Sequence, residues 1–114
     1  MHREIIWPAF IRYEGDGELT YIADLGEWES DADLSHFEYE EMDRLIDSQG
    51  QVFSLTDRGN SPVVPDYVGE TFSAEQVAAL VKAHFSVAGA CCVAKLDHCS
   101  IAECMDMLNR EQDF

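Results

Sequence analysis

Ser73 to Ala88, SAEQVAALVKAHFSVA, is the stretch whose reading decides the fold. Ser73 stands where a helix N-cap belongs, and Gln76 follows three residues later as the reciprocal partner of a capping box. Val77, Leu80, Val81, His84, Phe85 and Ala88 recur at helical spacing, with Glu75, Ala79, Lys82 and Ser86 on the opposite side. Alanine-rich composition favours the helix, and Gly89 suits the left-handed residue that ends one. A helix of this length is marginal alone in water, so the rest of the chain must cover its apolar stripe.

Toward the C-terminus, Ala90 to Leu96 (ACCVAKL) reads as a short buried strand. Ser100 and Glu103 form a second capping box, which opens a helix from Ile101 to about Glu111. Its core face is Ile101, Cys104, Met105 and Leu108, with Asp106 and Arg110 an i,i+4 pair outside.

Toward the N-terminus, Asp57 to Phe72 carries Gly59, Pro62, Pro65 and Gly69 and reads as a long loop lying against the body through Val63, Val64, Tyr67 and Val68. Arg44 to Thr56 reads as a hairpin with Gly50 at the left-handed position of its turn. Leu25 to Met42 alternates acids with apolar residues and reads as loop with about one helical turn. Ile5 to Tyr13 (IIWPAFIRY) reads as a strand with Ile5, Trp7, Ala9, Ile11 and Tyr13 on one side. Pro8 demands an edge position or a bulge there. Glu14 to Gly17 supplies a turn, and Glu18 to Asp24 returns with Leu19, Tyr21 and Ala23 facing one way and Ile22 the other. The sum is one α+β domain over residues 1–114: a mainly antiparallel sheet from two hairpins plus a later strand, with two helices packed on one face.

Charge narrows the function classes. The chain has 23 acidic and 7 basic residues, a formal net charge of −16. From Glu14 to Asp47 there are 13 acidic residues and one basic one, Arg44. Such a field repels nucleic acid and anionic membranes and attracts basic surfaces. It also keeps a small protein dispersed, so solubility is the plainer account of it. There is no apolar run of about 18 residues, and Met-His-Arg-Glu-Ile-Ile-Trp-Pro is no signal peptide, so a cytoplasmic protein is expected. In a reducing compartment Cys91, Cys92, Cys99 and Cys104, none in a CxxC arrangement, read as buried hydrophobes.

Trp7-Pro8-Ala9, Leu45-Ile46-Asp47-Ser48 with Gly50 and Phe53, Cys91-Cys92 with Lys95-Leu96, and Ser100-Ile101 together resemble a family of small acidic proteins of gamma-proteobacteria known only as a domain of unknown function. The resemblance covers nearly the whole chain. It implies a bacterial cytoplasmic protein and supplies no catalytic residues to carry over.

Three chemical readings compete with structural ones. Asp31, Asp33 and Ser35 imitate the start of a calcium loop, but His36 stands where glycine is required and Met42 where the bidentate glutamate belongs. Cys91, Cys92, His98, Cys99 and Cys104 include soft metal ligands, without the paired short spacings of a zinc site. A cysteine nucleophile assisted by His84 or His98 would need an orienting third group that the sequence does not display. No phosphate-loop, dinucleotide or nucleophile-elbow motif occurs.

The expectation is a non-enzymatic module, monomeric or weakly dimeric and without cofactor, that binds a basic protein. The expected contact residues are Glu27, Trp28, Glu29, Asp31, Asp33, Glu38, Glu40 and Glu41, an aromatic anchor ringed by carboxylates. The alternatives are a metal or thiol protein using the C-terminal Cys and His residues, or an enzyme of unknown type.

Overall fold

The computed structural model describes residues 4–15, 17, 19–31, 39–55, 65–87 and 99–112. Five strands form an antiparallel sheet: β1 (Ala9–Arg12), β2 (Leu19–Ile22), β3 (Arg44–Asp47), β4 (Gln51–Ser54) and β5 (Asp66–Thr71), in the order β2-β1-β3-β4-β5. Three helices are described: α1 (Leu25–Ser30), α2 (Ala74–Val87) and α3 (Ile101–Gln112). The α+β class and the antiparallel sheet agree with the sequence.

The alternation of β1 sorts the molecule into two cores. Phe10 points to the side of the long helices, where it meets Leu19, Tyr21, Ile46 and Val52 of the sheet and Val77, Val81, Phe85, Met105 and Leu108 of α2 and α3. Ala9 and Ile11 point to the other side, with Ile22, Leu45, Phe53 and Leu55, and Ile5, Trp7 and Tyr13 pack on the same cluster. A period of two thus divides the stretch from Ile5 to Tyr13 as its pattern implies.

Both capping boxes form. Ser73 Oγ accepts from the Gln76 N–H at 3.2 Å while Gln76 Oε1 accepts from the Ser73 N–H at 2.8 Å. Ser100 and Glu103 repeat the exchange at 3.2 and 3.1 Å. Val77, Ala78, Val81, His84 and Phe85 are buried on α2, and Cys104, Met105 and Leu108 on α3. His84 is a core histidine: its Nδ1 accepts from the Leu19 N–H at 2.8 Å, tying α2 to the start of β2, and its ring meets Phe85 edge-on.

Three expectations need correction. β1 lies inside the sheet and not at an edge, because the strand starts at Ala9, one residue past Pro8, so the missing proline N–H falls outside the ladder. Leu25–Ser30, in the stretch read as loop with about one helical turn, is a six-residue helix with a side-chain N-cap: Asp24 Oδ1 accepts from the Glu27 N–H at 2.8 Å, and Glu27 Oε2 accepts from the N–H of Ala23, the residue before the cap, at 3.4 Å. The end of the presumed loop from Asp57 to Phe72 is the edge strand β5. Its residues are mostly exposed, Val68 among them, and Gly69 has a φ of 84°, so neither burial nor strand composition announced it. The fifth strand of the sheet is therefore β5. The strand expected at 90–96, the Gly89 cap and most of the calcium-like loop lie outside the described residues.

Candidate functional site

The two buried carboxylates of the sheet come first, because they decide which acids are available to a ligand. Asp47, fully buried at the end of β3, accepts four hydrogen bonds. Oδ1 takes the N–H groups of Gln49 and Gln51, both at 2.9 Å, and Oδ2 takes the Ile6 N–H at 3.0 Å and Gln51 Nε2 at 2.7 Å. Beside it Ser48 Oγ donates to the Pro8 carbonyl at 2.6 Å, and the Ser48 N–H to the Ile6 carbonyl at 3.0 Å. Asp47 and Ser48 thus fasten the segment before β1 against the β3–β4 turn. Burying a charge requires this degree of satisfaction. Gly50 completes the turn with a φ of 80°, and its carbonyl accepts from the Phe72 N–H at 2.7 Å. A Cβ there would collide with the Phe72 carbonyl, so this position joins the turn to the entrance of α2 by requiring glycine.

Asp43 plays the same part at the opposite end of β3. Its Oδ1 accepts from the Glu14 N–H at 2.7 Å and its Oδ2 from the Glu40 N–H at 2.8 Å, which draws the β1–β2 turn and the approach to β3 together. Both buried aspartates are structural acceptors and offer nothing to a partner.

The exposed acids lie around Asp43. Tyr39 is buried and stacks on Tyr13 on one side and Trp28 on the other, each at a centroid separation of 6.3 Å. Burial raises the Tyr39 hydroxyl far above the usual tyrosine range, and Tyr13, Asp43 and Asp31 add to the rise. The phenol stays neutral, and the same influences locate Asp31 and Asp43 beside it. Glu14, Asp31, Glu40 and Glu41 are exposed about this stack. Met42, 54% exposed, stands among them, and the Arg44 guanidinium folds back onto the Glu41 and Asp43 carbonyls at 2.7 and 3.0 Å.

A second acidic group borders the β2 edge. The Tyr21 hydroxyl is raised by burial first and then by Glu27, Asp106 and Asp24, so carboxylates from α1 and α3 converge on one tyrosine.

The predicted contact residues separate on this geometry. Trp28 is corrected: only 4% exposed, it fills the core beneath α1 and is no surface anchor. The Glu27 carboxylate accepts from the Ala23 N–H just before α1. Glu29, Asp31, Glu40 and Glu41 are exposed, while Asp33 and Glu38 lie outside the described residues. Met42, exposed among these acids, is not among the residues expected at the surface, because an apolar residue in an acidic run reads as core until its exposure is known. Asp47 was missed as an organiser, although an aspartate two residues before Gln49 in a turn signals an Asx-turn.

Of the C-terminal candidates, Cys104 is fully buried and Cys99 half-buried, and neither is in a disulfide. Burial, then Cys99 and Glu103, push the Cys104 thiol up to about 11. Among the described residues no group of three or more His, Cys, Asp or Glu side chains is arranged to hold a metal. Cys91, Cys92 and His98 lie outside them. No described helix is long and apolar enough to cross a membrane.

These features define a small α+β domain whose buried polar groups hold the fold and whose exposed carboxylates gather round an aromatic stack. The chain belongs to the DUF4144 family, described as a protein structure with unknown function, whose profile matches residues 7–108, from Trp7 of the fastened segment to Leu108 of α3. It is similar to a solved structure described as the NMR structure of the protein from Shewanella Amazonensis, at 27% identity over 96% of this chain and 91% of that one, with a TM-score of 0.72. No curated protein matches it. The family carrying the resemblance of Trp7-Pro8-Ala9 and Leu45-Ile46-Asp47-Ser48 is thus found, and those residues are seen to be a structural clasp.

Proposed function

We propose that the protein is a non-enzymatic cytoplasmic interaction module that binds a basic protein surface through the rim formed by Glu14, Asp31, Glu40 and Glu41, with Met42 as its apolar contact. The observation that carries this reading is the pairing of exposed carboxylates with an exposed methionine on a base held by Asp43 and the Tyr13–Tyr39–Trp28 stack. Carboxylates steer a basic partner and set the salt dependence of its approach. A methionine adapts its shape to the surface it meets. Arg44, whose guanidinium donates to the Glu41 and Asp43 carbonyls, brings a single positive charge against the four carboxylates of the rim, which stays net negative.

The test is capture from the lysate of the native host by the tagged protein at low and at moderate salt. A basic protein should be retained at low salt and released as salt rises. The triple reversal Asp31→Lys, Glu40→Lys and Glu41→Lys should abolish retention, whereas Glu75→Lys, an exposed acid on α2, should leave it unchanged. Equal loss in both variants would reduce the acidity to a solubility device.

A further inference from the structure

The two long helices begin alike beyond their capping boxes. In α2, Phe72 precedes the cap and Val77 lies four positions into the helix, and both belong to the helix-side core. This is a hydrophobic staple, in which the residue before the cap packs on the one at the fourth helical position. In α3 the same two positions, in the same core, are Cys99 and Cys104. A staple made of two thiols differs from one of Phe and Val in carrying the two sulfurs that a disulfide requires.

The two cysteines are also unequal. Cys99 is half-buried and within reach of solvent, while Cys104 is fully enclosed. We propose that Cys99 and Cys104 are a reversible dithiol–disulfide pair that locks the first turn of α3 to the segment before it when small-molecule disulfides accumulate. This goes beyond the acidic-rim reading and does not depend on it.

The chemistry balances with one low-molecular-weight disulfide as oxidant. The Cys99 thiolate attacks it, forming a mixed disulfide and releasing one small thiol. The Cys104 thiolate then attacks the Cys99 sulfur, closes the protein disulfide and releases the second small thiol. The two protons leave on the two released thiols, so the protein loses two hydrogens and the oxidant is reduced. The order follows from access and from thiolate supply: Cys104, its thiol held up near 11 by burial, reacts only with a sulfur delivered beside it. In a reducing compartment such a pair is a sensor and not a permanent brace.

The sequence supplies a clean readout. Tryptic cleavage after Lys95 and Arg110 yields a peptide of residues 96–110 that contains Cys99 and Cys104 and excludes Cys91 and Cys92. The full-length protein is treated with oxidised glutathione at mildly alkaline pH, alkylated, digested and weighed. Most of this peptide should be unalkylated and lighter by two hydrogens, returning to the doubly alkylated form after reduction, and the oxidised protein should melt at a higher temperature than the reduced one. Cys99→Ser should abolish the lighter peptide while keeping the far-ultraviolet circular dichroism of the parent. Persistent alkylation of both cysteines, a glutathione adduct that stays on Cys99, a cross-link to the peptide of residues 83–95, or an unraised melting temperature would overturn the proposal.

Discussion

The two faces of the sheet are closed by different physics. On the helix side, apolar side chains of α2 and α3 meet Phe10, Leu19, Ile46 and Val52, so this face is held by burial of periodic hydrophobes. On the other side the cover is aromatic: Trp7, Tyr13, Trp28, Tyr39 and Tyr67 lie over Ile11, Leu45 and Phe53, on α1, on β5 and on stretches of irregular chain. Irregular chain has no internal ladder to satisfy its N–H groups, and here Asp47 and Asp43 do so. The contrast teaches that this acidic protein uses its carboxylates in two ways, as buried backbone acceptors and as an exposed rim. The exposed ones stand at the surface because the buried ones hold the chain beneath them.

The comparison breaks most directly at Asp47. Asp47→Ala leaves three backbone N–H groups and one side-chain amide without their buried acceptor, and the cost should be about 4 kcal/mol, since each orphaned group costs on the order of 1–3 kcal/mol. Both tryptophans, Trp7 and Trp28, pack in the aromatic core, so fluorescence reports that face and far-ultraviolet circular dichroism reports the helices. In urea the fluorescence midpoint of the variant should fall ahead of the helical one. Coincident transitions would show the two faces to be one cooperative unit.

On the helix side Met105→Ala empties a fully buried site and should cost about 3 kcal/mol, with both probes moving together. A fluorescence change preceding the helical one would reverse the assignment of faces.

Alkaline pH sharpens the comparison without a substitution. The folded-state pKa of Cys104 is raised, so the stability its neutral thiol contributes is fully present below the ordinary thiol value of 9.0 and is lost as pH rises through about 11. Urea midpoints measured across that window should fall, and Cys104→Ala should flatten the fall. An unchanged slope would place the alkaline loss elsewhere.

Smaller effects belong to the helix starts. Ser73→Ala and Ser100→Ala should each cost about 1 kcal/mol by thermal or urea unfolding. Arg110→Ala, which breaks an exposed i,i+4 pair at 3.0 Å, should cost no more than about 0.5 kcal/mol.

The helices α2 and α3, their capping boxes, their buried faces and the Gly50 turn were legible in the sequence because each is a local pattern: period, cap and left-handed position lie within a few residues of one another. The helix α1 was equally local, since Asp24 and Glu27 stand at capping-box spacing, but the surrounding acids hid the signal. The edge strand β5 was not local. Its only apolar residues among the described six are Tyr67 and Val68, and it is a strand because β4 offers it a ladder.

The candidate site divides in the same way. Composition by itself determined that residues 14–47 carry a strong negative charge, since charge is a property of residue type. Only the tertiary structure decided which carboxylates are spent. Asp43 and Asp47 are consumed by backbone donors brought from as far as 29 and 41 residues away, Trp28 is consumed by the core, and Glu40, Glu41 and Met42 are left outside. The physical reason is that a hydrogen-bond acceptor is claimed by whichever donor the fold delivers to it, and that delivery is settled by packing at long range and not by neighbours in the chain.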